Sequence, residues 1–427
     1  MKFVVLNGSP KGDDSVTLQY TRYMFKHHRE HEMEVFHVAK HIYAIEKSDA
    51  RLDAILGAIQ EADGVIWSFP VYTMAVSAQL KRFIELCHEE GGQGVFQGKY
   101  TAAVATSVHF FDHTAINYIH GICDDWHMHY VGGFSAHMGD LQEEEGQKRL
   151  LAFAMKVFTT ARAGRLTRRT HRPIQEEGLV YHPSNGIEPS PMSGKKLILV
   201  DAKSSANVLA MVDQLKAAWN GSAQVVFLKD IGLTGDCMGC LQCGFESQCL
   251  YDGKDPYREF FETQVREAGV IVFAGAIKDR FLSAQWKRFF DRGFYCAHEQ
   301  PLAGKQTAML ISGPLQQLPN LQEVFEGYFQ TQGSHFHGFV SDEWPTSEEI
   351  DRRIEALVHE MAEHVRPSYS PARTFLGEGA KKVIRDEIQP ARHYPKFLHH
   401  LPGFRKDQYQ TRMTGVLVQT LKQIVEG

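Results

Sequence analysis

The sequence predicts an α/β protein with two doubly wound parallel sheets in tandem, and three observations predict this class. The chain has 427 residues, more than the roughly 250–300 that one hydrophobic core usually serves, so two domains are expected. A stretch of the sequence occurs twice. In both copies short apolar runs alternate with amphipathic segments, which is typical of parallel strands connected by helices.

The internal repeat is clearest in one short block. Residues 77–83 read SAQLKRF and residues 283–289 read SAQWKRF, an offset of 206. The apolar openings of the two copies, residues 2–6 and 196–200, differ by only 194, so the second copy carries twelve extra residues before the shared block. The offset of 206 also relates Glu61-Ala62 to Glu267-Ala268 and Gly98-Lys99 to Gly304-Lys305.

Each copy contains five predicted strands, which fits a flavodoxin-like doubly wound sheet. The strands are expected near residues 2–7, 33–38, 64–69, 100–106 and 129–134, and near 196–201, 223–228, 269–274, 305–312 and 335–340. Helices are expected near residues 15–28, 76–88, 115–127, 205–219, 256–267 and 282–292.

Composition divides the chain into four predicted regions. A flavodoxin-like domain over residues 1–171 is followed by a polar, Pro-rich linker over 172–194. A second flavodoxin-like domain covers 195–365, and a helical, basic C-terminal extension covers 366–427. The extension has 11 Lys and Arg against 5 Asp and Glu, although the whole chain has a net charge of −5.

Charge and hydropathy exclude several classes of protein. The net charge of −5 argues against general nucleic-acid binding. No apolar run approaches the roughly 18 residues that a membrane span needs. The apolar residues 3–6 precede Asn7-Gly8 and are expected to form a strand rather than a signal peptide. The sequence therefore predicts a cytoplasmic protein.

The loop after the first predicted strand has the composition of a phosphate-binding loop. Residues 7–17 read NGSPKGDDSVT. Two glycines allow positive φ, and Ser9, Ser15 and Thr17 supply hydroxyls where a helix begins. The loop contains neither Gly-Lys-Ser/Thr nor Gly-x-Gly-x-x-Gly, which argues against nucleoside triphosphate and dinucleotide sites. The alternative is an ordinary turn with a serine N-cap.

Two further loops are expected beside the first one, because the carboxyl ends of parallel strands meet at one edge of a sheet. This edge is named here the rim. Residues 69–74 read FPVYTM after the third strand, and residues 106–113 read TSVHFFDH after the fourth. A Pro-aromatic loop can lie along a planar ring. Each loop alone is equally compatible with packing aromatics and a helix cap, but the three together favour a ligand site.

These motifs resemble those of the NAD(P)H-dependent FMN reductase and iron–sulfur flavoprotein superfamily, over about residues 1–165. The resemblance implies FMN bound at the rim and hydride transfer from NAD(P)H to the flavin. It also suggests Tyr72 and His109 as candidate catalytic residues. The FMN contacts that it implies are Ser9, Lys11, Ser15, Val16, Thr17, Pro70, Val71, Tyr72, Thr73, Met74, Thr106, Ser107 and Phe110.

The second copy lacks the two clearest flavin motifs. Residues 201–207 read DAKSSAN where the phosphate loop is expected, and Asp201 stands where phosphate would need donors. Residues 276–278 read AIK in place of Pro-Val-Tyr. A second FMN is therefore not expected.

Four cysteines in the second copy predict a metal or redox centre. Cys237, Cys240, Cys243 and Cys249 have the spacing C-x2-C-x2-C-x5-C, and four thiolates can saturate one tetrahedral ion or one cubane cluster. The motif resembles that of iron–sulfur flavoproteins, which implies a [4Fe–4S] cluster. Zinc and an empty loop are the alternatives. The remaining cysteines, Cys87, Cys123 and Cys296, are expected in the core.

The sequence thus predicts an FMN-dependent NAD(P)H oxidoreductase that passes electrons to a quinone, a flavin, another small molecule or a redox protein, through the cluster. A plain FMN or quinone reductase with zinc or no metal is one alternative. A flavodoxin-type carrier or redox sensor that does not turn over NAD(P)H is another. The two copies are expected to form a pseudo-dimer within one chain, and a homodimer is a further option.

Two remaining features carry weaker hypotheses. The basic extension is expected to pack across the two domains, or to cover the site and steer an anionic cofactor such as NADPH. The alternative is a membrane-surface segment near residues 395–398 and 404–406.

The histidines His109, His113, His120, His127 and His129 are expected not to converge on one metal ion, since they fall on a loop, a helix and a strand.

Overall fold

The computed structural model describes residues 1–175, 179–184, 187–190, 192–201, 204–243, 248–365, 369, 371–388 and 406–427. The chain forms two compact units. The first unit consists of Met1–Pro173, Cys237–Glu246 and Arg385–Gly427. The second unit consists of Ile174–Asp236 and Ser247–Ile384.

The first unit contains a five-stranded parallel sheet with the order β2-β1-β3-β4-β5. This is the flavodoxin-like order, which places the switch point between β1 and β3. The central strands β1, β3 and β4 are buried on both faces because helices cover both sides of the sheet. They are β1 Lys2–Asn7, β2 Glu32–Phe36, β3 Gly64–Pro70, β4 Tyr100–Ser107 and β5 His129–His137.

Six helices follow these strands in the first unit. Ser15 and Ser77 cap two of them, since each serine side chain accepts a hydrogen bond from the backbone N–H three residues later. The helices are α1 Val16–Lys26, α2 Ile42–Ile45, α3 Asp49–Glu61, α4 Ala78–Glu89, α5 Asp112–Asp125 and α6 Glu144–Arg162.

The second unit contains a sheet with the strand order β11-β10-β8-β6-β7, which repeats the topology of the first. A sixth strand, β9, pairs antiparallel with the end of β8 and was not predicted. The strands are β6 Lys196–Val200, β7 Gln224–Phe227, β8 Val270–Lys278, β9 Phe281–Leu282, β10 Gln306–Ser312 and β11 His335–Ser341.

Helices of the second unit again follow its strands. A π-helical turn, Phe261–Val265, extends the short helix α8, in the segment where one longer helix was expected. The helices are α7 Ala206–Ala218, α8 Tyr257–Phe260, α9 Ala284–Arg292, α10 Pro319–Gln332, α11 Ser347–Val365 and α12 Phe375–Val383.

The last helix, α13 Lys406–Glu426, packs in the first unit. Its Leu421 is fully buried in the same core as Phe3 and Phe158, and the Lys26 ammonium donates to the Ile424 carbonyl at 2.9 Å. Helix α12 instead packs on α10 in the second unit, where Gln330 Oε1 accepts from the Gly377 N–H at 3.2 Å. The described part of the extension therefore contains helices, and these belong to different units.

Equivalent contacts recur in both units at the offset of 206. Lys99 donates to the carbonyls of Gln60 and Ala62 at 2.7 and 2.6 Å. Lys305 donates to those of Arg266 and Ala268 at 2.5 and 2.8 Å. Buried ion pairs recur as well, and they are Lys81–Glu85 and Lys287–Asp291. The shared residues of the repeat therefore serve the scaffold.

The compact units run differently from the predicted domain limits. Part of the expected linker packs in the second unit, where Tyr181 and Met192 are buried. Residues 237–246, which follow the second sheet's strand β7 in sequence, belong to the first unit. The membrane-surface hypothesis for residues 395–398 and 404–406 falls mostly outside the described residues. No described helix combines the length and apolarity needed to cross a membrane.

Candidate functional site

The loop after β1 is held in shape by its own side chains. Asn7 Oδ1 accepts from the Ser9 N–H at 3.1 Å, and Asn7 Nδ2 donates to the Gly12 carbonyl at 2.9 Å. Ser15 Oγ then caps α1 by accepting from the Leu18 N–H at 3.2 Å. Gly12 has a φ of 60°, which a glycine adopts without strain. These bonds fix the loop at the amino terminus of a helix.

This loop leaves donors available to an anion. The backbone N–H groups of Val16 and Thr17, in the first turn of α1, have no acceptor within the part of the chain that the structure describes. The buried hydroxyls of Ser9 and Ser15 accept hydrogen bonds but have no acceptor for their own protons among the described residues. Such a donor set at a helix amino terminus fits a phosphate group.

The end of β4 is tied to the same helix. Thr17 Oγ1 lies 2.5 Å from Thr106 Oγ1, and both threonines are buried. The Thr106 carbonyl also accepts from the Val71 N–H at 3.1 Å. Two residues predicted from different loops therefore touch, and the loops after β1, β3 and β4 meet at one rim.

The loop after β3 forms a tight turn. Tyr72 and Ala75 exchange backbone hydrogen bonds of 2.9 and 3.0 Å. Between them Thr73 and Met74 have φ values of 35° and 64°, a strained conformation for residues with a side chain. Thr114 Oγ1 holds the turn by donating to the Met74 carbonyl at 2.6 Å. Pro70 ends β3 directly before this turn.

The loop after β4 presents His109 to solvent on a fixed support. His109 Nδ1 lies 2.8 Å from Asp112 Oδ2, and Ser135 Oγ donates to the same oxygen at 2.5 Å. Burial alone would raise the pKa of Asp112, but the hydrogen bonds from Ser135 and His109 outweigh it and lower that pKa. Ser107 Oγ accepts from the His109 N–H at 2.8 Å, while Phe110, next in sequence, is half-buried.

The segment 237–243, named here the cysteine segment, packs against this rim within the first unit. Gln79 Nε2 donates to the Cys237 carbonyl at 3.0 Å. Gly239 has a φ of 59°, and a Cβ at this position would overlap Tyr72 Oη. The sequence repeat placed these cysteines in the second copy, whereas they lie beside the predicted flavin loops of the first.

Lys11 links the cysteine segment to the phosphate loop. Burial lowers the pKa of Lys11, and the thiols of Cys240 and Cys237 lie near enough to oppose that shift. The predicted phosphate loop and the predicted redox segment thus share one positive charge.

The predicted metal ligands are divided between the units. Cys237, Cys240 and Cys243 lie in the first unit and Cys249 lies in the second, and all four are half-buried. In the described part of the first unit, the three sulfurs are not among the groups of ligand atoms that converge within 4.8 Å. Tetrahedral coordination of one zinc ion would bring sulfurs to about 3.8 Å, so zinc binding would require the segment to close. Cys87, Cys123 and Cys296 are buried, as predicted.

Two groups of metal-ligating side chains do converge among the described residues. One consists of His120, Asp124 and His171 in the first unit. Of the five histidines weighed from the sequence, His120 alone belongs to such a described group, in agreement with the expectation that they do not share one ion. The other group, His335, His337 and His364, was not anticipated.

At the corresponding rim of the second unit, a carboxylate of the chain itself accepts hydrogen bonds from the donors; the rim is called closed in this sense. Asp342 accepts from Asn207 Nδ2 at 2.7 Å, from Ser312 Oγ at 2.5 Å and from the Gly313 N–H at 2.9 Å. At the offset of 206, Ser312 corresponds to Thr106. The sequence pointed to Asp201 as an obstructing charge; Asp342, which had not been singled out, is a second carboxylate in this unit and accepts from these donors.

Sequence reasoning missed several residues of the first rim. Asn7, Gln79, Asp112 and Gly239 shape or contact the loops, yet none was named as a site residue. Asn7 and Asp112 lie in segments that had been singled out, so their polar side chains at strand and helix ends were a usable signal. Gly239 gave no such signal, because its role depends on a contact between distant parts of the chain.

Comparison with known proteins finds a family model that matches part of the first unit. Residues 1–140 match the family model described as NADPH-dependent FMN reductase, and these residues contain all three rim loops. No curated protein shows significant similarity to the chain.

Solved structures with a similar fold each cover less than half of the chain. An NADH:FMN oxidoreductase, EmoB, is 20% identical over 38% of this chain and 89% of its own, with a TM-score of 0.32. FerB, an NAD(P)H:acceptor oxidoreductase from Paracoccus denitrificans, is 16% identical over 38% and 97%, with a TM-score of 0.31. A WrbA-like flavodoxin from Agrobacterium tumefaciens is 15% identical over 38% and 98%, with a TM-score of 0.29. Likeness at this level does not assign an activity.

The family match says more about the chemistry of the site than the similarity of fold does. It covers the loops after β1, β3 and β4, where the structure leaves donors suited to a phosphate. Residues 1–140 therefore support an NAD(P)H-dependent flavin oxidoreductase.

Proposed function

We propose that the chain is an FMN-dependent NAD(P)H oxidoreductase whose flavin binds at the rim of the first sheet and whose cysteine segment relays electrons to an acceptor. The observation that carries the proposal is the coincidence of the family match, residues 1–140, with a rim that leaves phosphate donors unpaired. The proposed acceptor is a quinone, a flavin or a redox protein.

The phosphate of FMN is proposed to bind the loop after β1. The N–H groups of Val16 and Thr17 and the hydroxyls of Ser9 and Ser15 supply neutral donors, and Lys11 supplies the positive charge. Because Asn7 already holds the loop, little conformational entropy is lost on binding.

The flat ring is proposed to lie along the turn after β3 and the loop after β4. Their members would be Pro70, Val71, Tyr72, Thr73, Met74, Thr106, Ser107 and Phe110. When bound, FMN supplies hydride acceptance and one- or two-electron transfer. Strain at Thr73 and Met74 is tolerated because Thr114 fixes the turn.

His109 and Tyr72 are the proposed catalytic side chains. Asp112 holds His109 Nδ1, so that Nε2 is the nitrogen left to accept or release a proton. Tyr72 Oη lies against Gly239, where it is positioned between the rim and the cysteine segment.

The cysteine segment is proposed to hold a [4Fe–4S] cluster with Cys237, Cys240, Cys243 and Cys249 as ligands. Three observations support a redox role: the segment packs in the same unit as the rim, Gln79 fixes it at Cys237, and Lys11 lies near the Cys240 and Cys237 thiols. Zinc is the alternative metal that the same thiols would bind.

The test is anaerobic purification of the full chain, followed by flavin, iron and acid-labile sulfide analysis and by mixing with NADH and with NADPH. We expect bound FMN, bleaching of its visible absorbance by one of the nicotinamides, and stoichiometric iron and sulfide. Bound FMN that neither nicotinamide reduces would contradict the enzyme and favour a carrier. Zinc in place of iron would contradict the cluster alone.

A pair of variants separates the relay from the flavin site. Cys243→Ser should lose iron and electron transfer to the acceptor while FMN stays bound and is still bleached. Cys123→Ser, which changes a buried cysteine of the same unit, is the matched control and should retain both centres. Making Cys249→Ser as well tests whether the fourth cysteine is needed.

A further inference from the structure

We propose that the second unit contains a binding site for a divalent transition-metal ion, best suited to zinc, formed by His335, His337 and His364. One ligand nitrogen from each imidazole lies within 4.8 Å of the others. All three histidines belong to the second unit, away in sequence from both the flavin loops and the cysteine segment.

The fold brings these histidines together from two elements. His335 and His337 are two residues apart on β11, so that their side chains emerge on the same face of the strand. His364 lies in the last turn of α11, which packs on β11. The ring centroids of His335 and His364 are 4.9 Å apart, and those of His335 and His337 are 4.0 Å apart.

The hydrogen bonds of His337 leave a nitrogen free for a metal. Gln306 Nε2 donates to the Tyr369 carbonyl at 3.2 Å, which orients the amide so that Gln306 Oε1 accepts from His337 Nε2 at 2.8 Å. The lone pair of a neutral ring is then on Nδ1. Gln306 is fully buried and acts as the outer-shell partner that metal-binding histidines commonly have.

The nitrogen Nδ1 of His337 faces a carboxylate. It lies 3.5 Å from Glu360 Oε2. Because His337 donates from Nε2 to Gln306, its Nδ1 carries a lone pair, so that two acceptors face each other there. A cation between them would turn this repulsion into coordination, with Glu360 as a fourth ligand.

The other two imidazole rings also each have a nitrogen that is available to a metal ion. His364 Nδ1 donates to the Glu360 carbonyl at 2.9 Å, which leaves Nε2 with its lone pair. His335 Nδ1 is buried and has no hydrogen-bond partner among the described residues. A buried polar atom without a partner is costly, and coordination would remove that cost.

The donor set selects the class of ion. Imidazole nitrogens with one carboxylate suit zinc in tetrahedral geometry, with about 3.3 Å between ligand nitrogens. The present separations of up to 4.8 Å would close by small side-chain rotations. A bound ion would join β11 to the end of α11, and we therefore assign the site a structural role.

The test compares zinc binding by the full chain and by His364→Asn after removal of metals with a chelator. His359→Asn is the matched control, because His359 is exposed on the same helix and outside the group. We expect the wild type and the control to bind one more equivalent of zinc than His364→Asn, because the variant has lost one of the ligands.

Zinc bound by the cysteines is distinguished by X-ray absorption at the zinc edge. Wild-type protein loaded with zinc should show nitrogen and oxygen ligands that diminish in His364→Asn, whereas sulfur ligands should not change. Equal zinc content in wild type and His364→Asn, or sulfur ligands alone, would overturn the proposal. Circular dichroism checks the folding of the variant, and His335→Asn serves as the second variant if His364→Asn does not fold.

Discussion

The rims of the two sheets differ far more than the sheets beneath them. Both sheets share one strand order, and both have a tight turn at the same place: Tyr72–Ala75 after β3 and Lys278–Phe281 after β8. In each turn the two central residues have positive φ. In the first rim Thr17 Oγ1 bonds directly to Thr106 Oγ1, whereas in the second rim the Asn207 amide, the Ser312 hydroxyl and the Gly313 N–H all donate to Asp342.

After the repeat arose, the two copies diverged at the ends of their strands. Contacts that hold strands and helices recur at the constant offset, as for Lys99 and Lys305. Contacts at the strand ends do not recur: Thr17 bonds to Thr106 in one unit, and an internal carboxylate takes up the equivalent donors in the other. A fold can thus be retained while its binding site is filled from within.

The shared scaffold predicts the largest effect. Lys81→Met and Lys287→Met each remove the cation of a buried ion pair, and each should lower the free energy of unfolding by about 3–5 kcal/mol. Urea denaturation measures this. Lys148→Met breaks an exposed pair with Glu144 at the same i,i+4 spacing and should cost less than about 1 kcal/mol. A large cost in only one unit would break the equivalence of the scaffolds.

The closed rim predicts a similar but smaller loss. Asp342→Ala removes the acceptor of three donors and should lower the free energy of unfolding by about 3 kcal/mol. Asp342→Asn keeps one acceptor oxygen and should cost about half as much. FMN affinity should stay unchanged in both, and an unchanged denaturation midpoint for Asp342→Ala would contradict the role given to this carboxylate.

The open rim predicts a loss of flavin binding. Ser15→Asp keeps a good N-cap but places a carboxylate beside the N–H groups of Val16 and Thr17, so FMN affinity should fall roughly a hundredfold. Ser205→Asp makes the same change at the N-cap of α7 in the second unit and is the matched control. Fluorescence titration with FMN measures both; equal affinities would place the phosphate elsewhere.

The support of His109 predicts the smallest effect, a pH dependence. The pKa of Asp112 is lowered, so its contribution to stability is present above its ordinary value of 3.8 and is lost as the pH falls through the lowered value. Asp112→Asn should cost about 1 kcal/mol near pH 7. Urea denaturation between pH 7 and pH 2.5 should show this gap closing at the acid end, and a gap that widens would contradict the sign.

Much of the fold was predictable because strands such as β1, β6 and β8 are largely continuous apolar runs. The predicted strands agree with β1–β8, β10 and β11 to within a few residues, except at the carboxyl ends of β5 and β8. Strand β9 escaped notice because Phe281-Leu282 reads as the start of the amphipathic helix that follows. The residues of the linker that pack, Tyr181 and Met192, are isolated in a polar stretch and carry no periodic signal.

The site was predictable only where its residues are local in sequence. The loops after β1, β3 and β4 stand out by glycines, hydroxyls and aromatics at strand ends. The position of the cysteine segment depends on the Gln79–Cys237 bond across 158 residues, for which the sequence holds no signal. The histidine group likewise depends on the packing of α11 on β11.

The central claim is that one open rim binds one flavin, and its most direct test is the stoichiometry of FMN binding to the flavin-free full chain. Quenching of flavin fluorescence should reach its end point at one equivalent per chain. Two equivalents would show that Asp342 does not close the second rim, and no binding would show that the unpaired donors of the first rim do not hold a flavin phosphate.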